Sequence, residues 1–275
     1  MSQSSGRKTI FEFLTKENPE VWCETPKNKS LTGSKRYHLP KQLTLWNDFT
    51  IKTFHKIYES SLYQESLRRD YALPDYPTLL DDECNVYHER NTCTLFTTWN
   101  RYIVNAALHA VKDVFHTSRW SDGMPIPENP NSTDVDENDG EEEDEDEAPR
   151  ARKGKARYAD PSSKKKKRKP LDPDAGATYW NQSGIPGRSE YVELLPKDYK
   201  TASKWESSAM LKRLDDLGYW RDGASWSPEA MPIRQVYTYC VKTGCRYGCI
   251  LTTNEAFIFR IRPRSKSSGK PWPPC

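Results

Sequence analysis

The sequence predicts a mixed α/β fold, a sheet with helices packed on its faces, preceded by a helical extension and interrupted by a disordered charged insert. Three observations lead there. Helical and strand-like apolar patterns alternate along the chain after residue 93. Nine Trp, fifteen Tyr and eight Phe are too many aromatics for a wholly disordered chain, because each can bury a large apolar area. Between residues 123 and 169 large apolar side chains all but vanish, so that stretch cannot bury enough surface to offset the entropy of ordering it.

Residues 1–41 are polar, rich in Lys, Ser and Pro, with one apolar patch at Ile10–Leu14, and read as a mobile arm or a loosely docked first helix. In residues 42–92, Leu45, Trp46, Phe49, Phe54, Ile57, Tyr58 and Leu62 recur at three- and four-residue spacing. That is the stripe of an amphipathic packing helix or helix pair reaching about Arg69, and Pro74 and Pro77 end it. The domain proper spans 93–262. Its first helix is predicted at Thr94–Lys112, where Leu95, Phe96, Trp99, Tyr102, Ile103, Ala106 and Ala110 line one broad face. Asp113–Trp120, rich in β-branched and aromatic residues, reads as a first strand.

The formal net charge of +3 averages over two opposed blocks in the insert 123–169, acidic at Asp134–Glu147 and basic at Arg150–Lys169. Beyond it, Ala175–Trp180 and Tyr191–Leu195 read as strands around a turn containing Gly184, Pro186 and Gly187. Lys200–Trp226 is polar and Trp-punctuated, with a helix near Ser207–Leu217. Pro232 opens a helix whose buried stripe is Ile233, Val236, Tyr237, Cys240 and Val241, and Gly244 suits the left-handed position that ends it. Tyr247–Thr252 and Ala256–Ile261 follow as strands, and residues 263–275 as a tail.

No run approaches the roughly 18 apolar residues that span a bilayer, and Met1–Thr9 has no apolar signal core. A soluble chain inside the cell, without membrane partners, is expected. The seven Cys are odd in number and are expected as packed or free thiols in a reducing compartment; Cys240, Cys245 and Cys249 lack the CxxC pair or nearby His that a zinc site needs. Lys164–Lys169 is a run of six basic residues with the pattern of a nuclear-import signal, which predicts a nuclear address and an import receptor as partner. The acidic block would suit basic nuclear proteins such as histones.

Two acidic sites carry the chemistry. Pro173–Asp174 opens the second strand, and Asp198–Tyr199–Lys200 is placed at the end of the third. A Pro-Asp followed, across a hairpin, by acidic-x-Lys resembles the PD-(D/E)XK nuclease superfamily. The flanks His116–Trp120, Pro196–Lys200, Lys204–Ser207, Arg234–Gln235 and Arg246–Thr252 resemble fungal proteins carrying that nuclease-like domain. The resemblance covers roughly Thr94–Arg262 and implies a restriction-endonuclease-like mixed sheet flanked by helices. It implies hydrolysis of phosphodiester bonds in nucleic acid, DNA foremost.

It also implies Asp174 and Asp198 as ligands of Mg²⁺ or Mn²⁺, Lys200 as the residue that orients or helps deprotonate the attacking water, and Gln235 near the site. Glu193 is an alternative ligand, although Val192 and Leu194 equally suit a solvent-facing Glu. Two departures stand out. Many members add a carboxylate from the first helix, whereas Thr94–Lys112 has no Asp or Glu and offers Arg101 and Tyr102 there; and Lys197 fills a slot where these relatives commonly carry Gly. Arg234, Arg246, Arg260 and Arg262 are either phosphate contacts or a solvated sheet edge, and Trp205, Trp220 and Trp226 are packing residues. The rival reading is a catalytically silent nuclease fold acting as a binding or adaptor protein in the nucleus.

Overall fold

The computed structural model describes residues 8–23, 34, 36–114, 118–123, 126, 171–182 and 189–262. The charged blocks of the insert, the basic run Lys164–Lys169, His116 and the tail 263–275 lie outside the described residues. The chain before and after the insert, Met1–Ile126 and Asp172–Cys275, clusters as one compact unit. Among the described residues no helix is long and apolar enough to cross a membrane.

The N-terminal segment forms α1 (Ile10–Leu14), begun by a reciprocal capping box: Thr9 Oγ1 accepts from the Glu12 N–H, and the Glu12 carboxylate accepts from the Thr9 N–H. Its Phe13 is fully buried, so the helix docks firmly. A two-residue strand β1 (Trp22–Cys23) pairs parallel with β2 (Asn85–Val86). Between them, α2 covers only Ile51–Leu62, capped by Thr50, whose hydroxyl accepts from Thr53 N–H. The predicted packing helix is therefore shorter than its apolar pattern. It is also turned outward: Ile51, Phe54 and Ile57 are exposed, and of its apolar side chains only Leu62 is buried. Upstream, Trp46 leaves the helical stripe to stack on Tyr247 and under the Arg260 guanidinium.

The first domain helix starts five residues before its predicted onset. It runs as α3 (Glu89–Leu95), a π-helical turn (Phe96–Asn100) and α4 (Arg101–Ala110). Thr92, Leu95, Phe96, Trp99 and Ile103 form its buried stripe. Trp99, Ile103, Ala106, Ala107 and Ala110 pack with Ile10, Phe13 and Leu62 in one core. Phe96 turns to the sheet, where it packs with Trp120, Ala175, Tyr199, Cys249 and Leu251.

The sheet comprises β3 (Ser118–Asp122), β4 (Ala175–Gln182), β5 (Ser189–Glu193), β6 (Lys197–Tyr199), β7 (Tyr247–Leu251) and β8 (Ala256–Arg260), in the order β3-β4-β6-β7-β8 with β5 paired to β4. β3, β4 and β6 are successively antiparallel, whereas β6 and β7 are parallel. A parallel pair needs a crossover. The connection provides α5 (Ser207–Leu211) and α6 (Met231–Thr243), the latter packed on β7 across the face opposite α3 and α4. Gly244 ends α6 at φ +76°, the left-handed conformation that any Cβ disfavours. Ile233, Val236 and Cys240 are the buried stripe, whereas Val241 is exposed, because the helix also buries Arg234, Thr238 and Tyr239.

One prediction about the sheet needs correcting. The third strand divides in two: β5 closes a hairpin on the far part of β4, and the chain then re-enters beside its near end as β6. Asp198 is therefore central to a strand of its own.

Candidate active site

The register decides what meets what. Ala175 of β4 opposes Lys197 of β6, so the antiparallel register brings Asp174, the residue just before β4, beside Asp198. Asp174 is exposed, and its Oδ2 accepts the Tyr199 N–H at 2.8 Å, which pins the carboxylate to the end of β6. Asp198 is 1% exposed. Its Oδ1 accepts from Gln235 Nε2 of α6 at 3.2 Å, and Lys200 Nζ lies 2.8 Å from its Oδ2. Lys200 is thus both ion-pair and hydrogen-bond partner of the Asp198 carboxylate. The structure thus brings all four predicted residues, Asp174, Asp198, Lys200 and Gln235, around one buried carboxylate.

Electrostatics follow from that burial. Desolvation pushes the Asp198 carboxyl up to about 7; Lys200 opposes the rise, and Asp174 adds to it as a like charge and hydrogen-bond partner. Burial works against the Lys200 ammonium too, but the charges of Asp198 and Glu89 outweigh it and hold that lysine above its usual range. Gln235 Nε2 also donates to Tyr239 Oη at 2.7 Å, and Tyr239 Oη donates to the Asp172 carbonyl at 3.3 Å. The loop carrying Asp174 and the helix carrying Gln235 are tied together through this phenol.

Glu89 escaped the sequence reading. Its Oε1 lies 3.7 Å from Lys200 Nζ, and it stands in the first turn of α3, where a carboxylate is favoured by the helix dipole. The first helix does bring a carboxylate to the site, from its first turn and not from Arg101 or Tyr102. Thr92 continues the buried face back from Leu95, but as a polar residue it extends no apolar stripe, so spacing gives no signal for a helix reaching Glu89. Among the described residues no three carboxylate, His or Cys groups converge as a ready metal cage. The two aspartates form a pair, and Glu89 reaches them across Lys200.

The opposite side of β6 is structural. Lys197 is buried, donates to the Gly176 carbonyl at 2.9 Å and lies 4.1 Å from the Trp120 ring centroid; burial pushes its ammonium down to about 8. Tyr199 stacks on Phe96 and accepts from Trp120 Nε1. Glu193 is not solvent-facing: it is buried, and its Oε1 accepts the Ala177 and Leu195 N–H groups. This bonding fixes the turn from β5 into β6. Arg234 is no phosphate contact either. It is buried against Trp226, and its guanidinium donates to the Tyr37 and Ser225 carbonyls. Trp205 is buried and donates to the Glu229 carbonyl, and Trp220 donates to that of Pro40. Cys240, Cys245 and Cys249 are buried thiols.

No family model, curated protein or solved structure matches this chain.

Proposed function

We propose that this chain is a metal-dependent nuclease-like protein that hydrolyses phosphodiester bonds in nucleic acid, DNA foremost. The observation that carries the reading is the meeting of Asp174, just before β4, with Asp198 of β6, with Lys200 and Gln235 at the Asp198 carboxylate. The sheet supports a restriction-endonuclease-like fold: a helix, three successively antiparallel strands, then a crossover helix to a parallel strand. Glu89 supplies the first-helix carboxylate that the PD-(D/E)XK resemblance called for.

The residues fit Mg²⁺ or Mn²⁺. Such ions take one or two carboxylates and complete their shell with water and substrate phosphate, and here the exposed Asp174 carboxylate meets the buried Asp198 carboxylate. Asp174 and Asp198 would hold the ion, with Glu89 beside them. A bound ion supplies charge neutralisation at the phosphate and a more acidic water. The chain's own groups do the rest. Lys200, held protonated, acts as a fixed positive charge for the oxygen charge that develops at phosphorus, and its raised pKa disfavours a role as base. Gln235 holds the Asp198 carboxylate in orientation, and Tyr239 holds Gln235.

The test is cleavage of labelled single- and double-stranded DNA by the full chain with Mg²⁺ or Mn²⁺. Asp198→Asn and Asp174→Asn should abolish it without unfolding the protein. One observation favours the rival reading of a silent binding module: Asp198 is already neutralised from within by Lys200. Wild-type protein that binds nucleic acid and cleaves none with either ion would establish that rival. The nuclear address is proposed with the same function. Changing Lys164–Lys167 to Ala should remove nuclear enrichment of a tagged chain, and an unchanged distribution would reject it.

A further inference from the structure

Two depressions run along the outer side of α4 and share Arg101 and Asn105. One, of ≈ 330 Å³, also reaches Arg119, Ser121 and Thr178; the other, of ≈ 550 Å³, reaches Thr97, Tyr71, Tyr102 and His109. Because they share a floor, they form a single groove. It is not part of the core: Tyr102 is 41% exposed, and Thr97 and Arg119 are exposed. Thr97 bonds the Cys93 side chain one turn nearer Glu89, and Cys93 lies within electrostatic reach of both Asp174 and Arg101. Glu89, Cys93, Thr97, Arg101, Asn105 and His109 are spaced by four, and the wider π turn between Phe96 and Asn100 counteracts the drift of such a ridge around the helix.

The chemistry of the lining selects an occupant. At one end the exposed Tyr102 ring offers a flat apolar face, while the Tyr71 ring beside it is already packed with His109; at the other end two guanidinium groups offer charge and hydrogen bonds. Asn105 is committed to structure, since its amide exchanges hydrogen bonds with the Trp120 backbone and fixes β3 against the helix. Arg101 is paired with Asp122, but Asp122 is 83% exposed. Surface pairs of this kind contribute little, so an incoming phosphate can take the arginine. Stacking faces beside cations in one groove are the features that hold an unpaired strand, whose bases are free to stack while its phosphates meet the charges.

We infer that this groove is the track for a single nucleic-acid strand, with Tyr102 as a base platform and Arg101 and Arg119 as phosphate contacts. The inference rests on the proposed nuclease reading and deepens it by assigning a strand-binding surface. The experiment is fluorescence anisotropy of a labelled 12-nucleotide oligothymidine, and of a 12-base-pair duplex, with the full chain in EDTA, where metal-dependent cleavage is silent. Tyr102→Ala should weaken strand binding about tenfold or more, and Tyr102→Phe should restore it. Arg119→Ala should weaken binding and lower the salt slope by about 0.7.

Wild-type binding that survives both Tyr102→Ala and Arg119→Ala overturns the groove and leaves the nuclease reading standing. Duplex binding that falls in parallel with strand binding overturns the single-strand assignment. A wild type that binds no strand overturns the groove, and if it also cleaves nothing the nuclease reading falls with it.

Discussion

Lys200→Met isolates the electrostatics of the buried pair. Methionine keeps the length and apolar stem of lysine and removes the ammonium 2.8 Å from Asp198 Oδ2. At an effective dielectric constant of about 20, unit charges at that distance attract by about 6 kcal/mol, or about four pKa units. Burial already raises Asp198 to about 7 with Lys200 resisting. Without the lysine the carboxyl keeps its proton well beyond neutrality.

The sign is as follows. Asp198 has a folded pKa above its ordinary 3.8, so the folded state holds a proton that the unfolded state releases. Its contribution to stability is complete below that ordinary value and declines as pH rises to about 7 in the wild type, then stays level. In the variant the decline continues past neutrality at about 1.4 kcal/mol per pH unit. Lys200 adds no slope of its own there, because its raised pKa keeps it charged, as it is in the unfolded chain. The stability gap between wild type and variant should therefore widen by about 3 kcal/mol from about pH 7 to about pH 9. Urea unfolding followed by Trp fluorescence across that range measures it. A gap that stays constant would refute the reasoning, since Asp198 would then not be a carboxyl held neutral by burial.

Three further outcomes are expected. Asp174→Asn removes a like charge beside Asp198, so the Asp198 titration followed by carboxyl carbon NMR should move below about 7; an unmoved midpoint would deny the coupling. Trp120→Phe leaves the buried Tyr199 hydroxyl without its Nε1 donor and should lower unfolding free energy by about 1–3 kcal/mol, read from urea midpoints. Gly218→Ala forces a Cβ into a residue at φ +84°, 1.9 Å from the Leu43 carbonyl oxygen, and should cost more than about 1 kcal/mol; a variant with unchanged Tm would contradict that packing.

The fold class and most elements were legible because they rest on periodicity. The stripe of α6 and its Gly244 stop, the strands β7 and β8, and the helix through Ile103 all appear where apolar spacing placed them, within a few residues. Where the reading failed, tertiary context outweighed pattern. The apolar positions of α2 have helical spacing, yet no described element covers Ile51 or Ile57, and spacing alone cannot say which side of a helix finds a partner. The merging of β5 with β6 had another cause: Leu194, Leu195 and Pro196 continue the apolar run, so nothing in composition marks the break that the Glu193 carboxylate stabilises through the Leu195 N–H.

The candidate site was legible in its residues but not in its burial. Asp174, Asp198, Lys200 and Gln235 follow from the resemblance to the PD-(D/E)XK pattern, and register then explains why they meet. Charge burial leaves no trace in spacing, so Arg234 and Glu193 read as surface groups and Glu89 was overlooked. The period of two along β6 reconciles these results. Asp198 points toward α6 and carries the chemistry, whereas Lys197 and Tyr199 point toward Trp120 and Phe96 and hold the strand. A lysine in a slot where glycine was expected is tolerated for that reason. Its stem fills the layer beside Trp120 and its ammonium reaches the Gly176 carbonyl, so the departure alters the structural face of β6 and leaves the meeting of Asp174 and Asp198 intact.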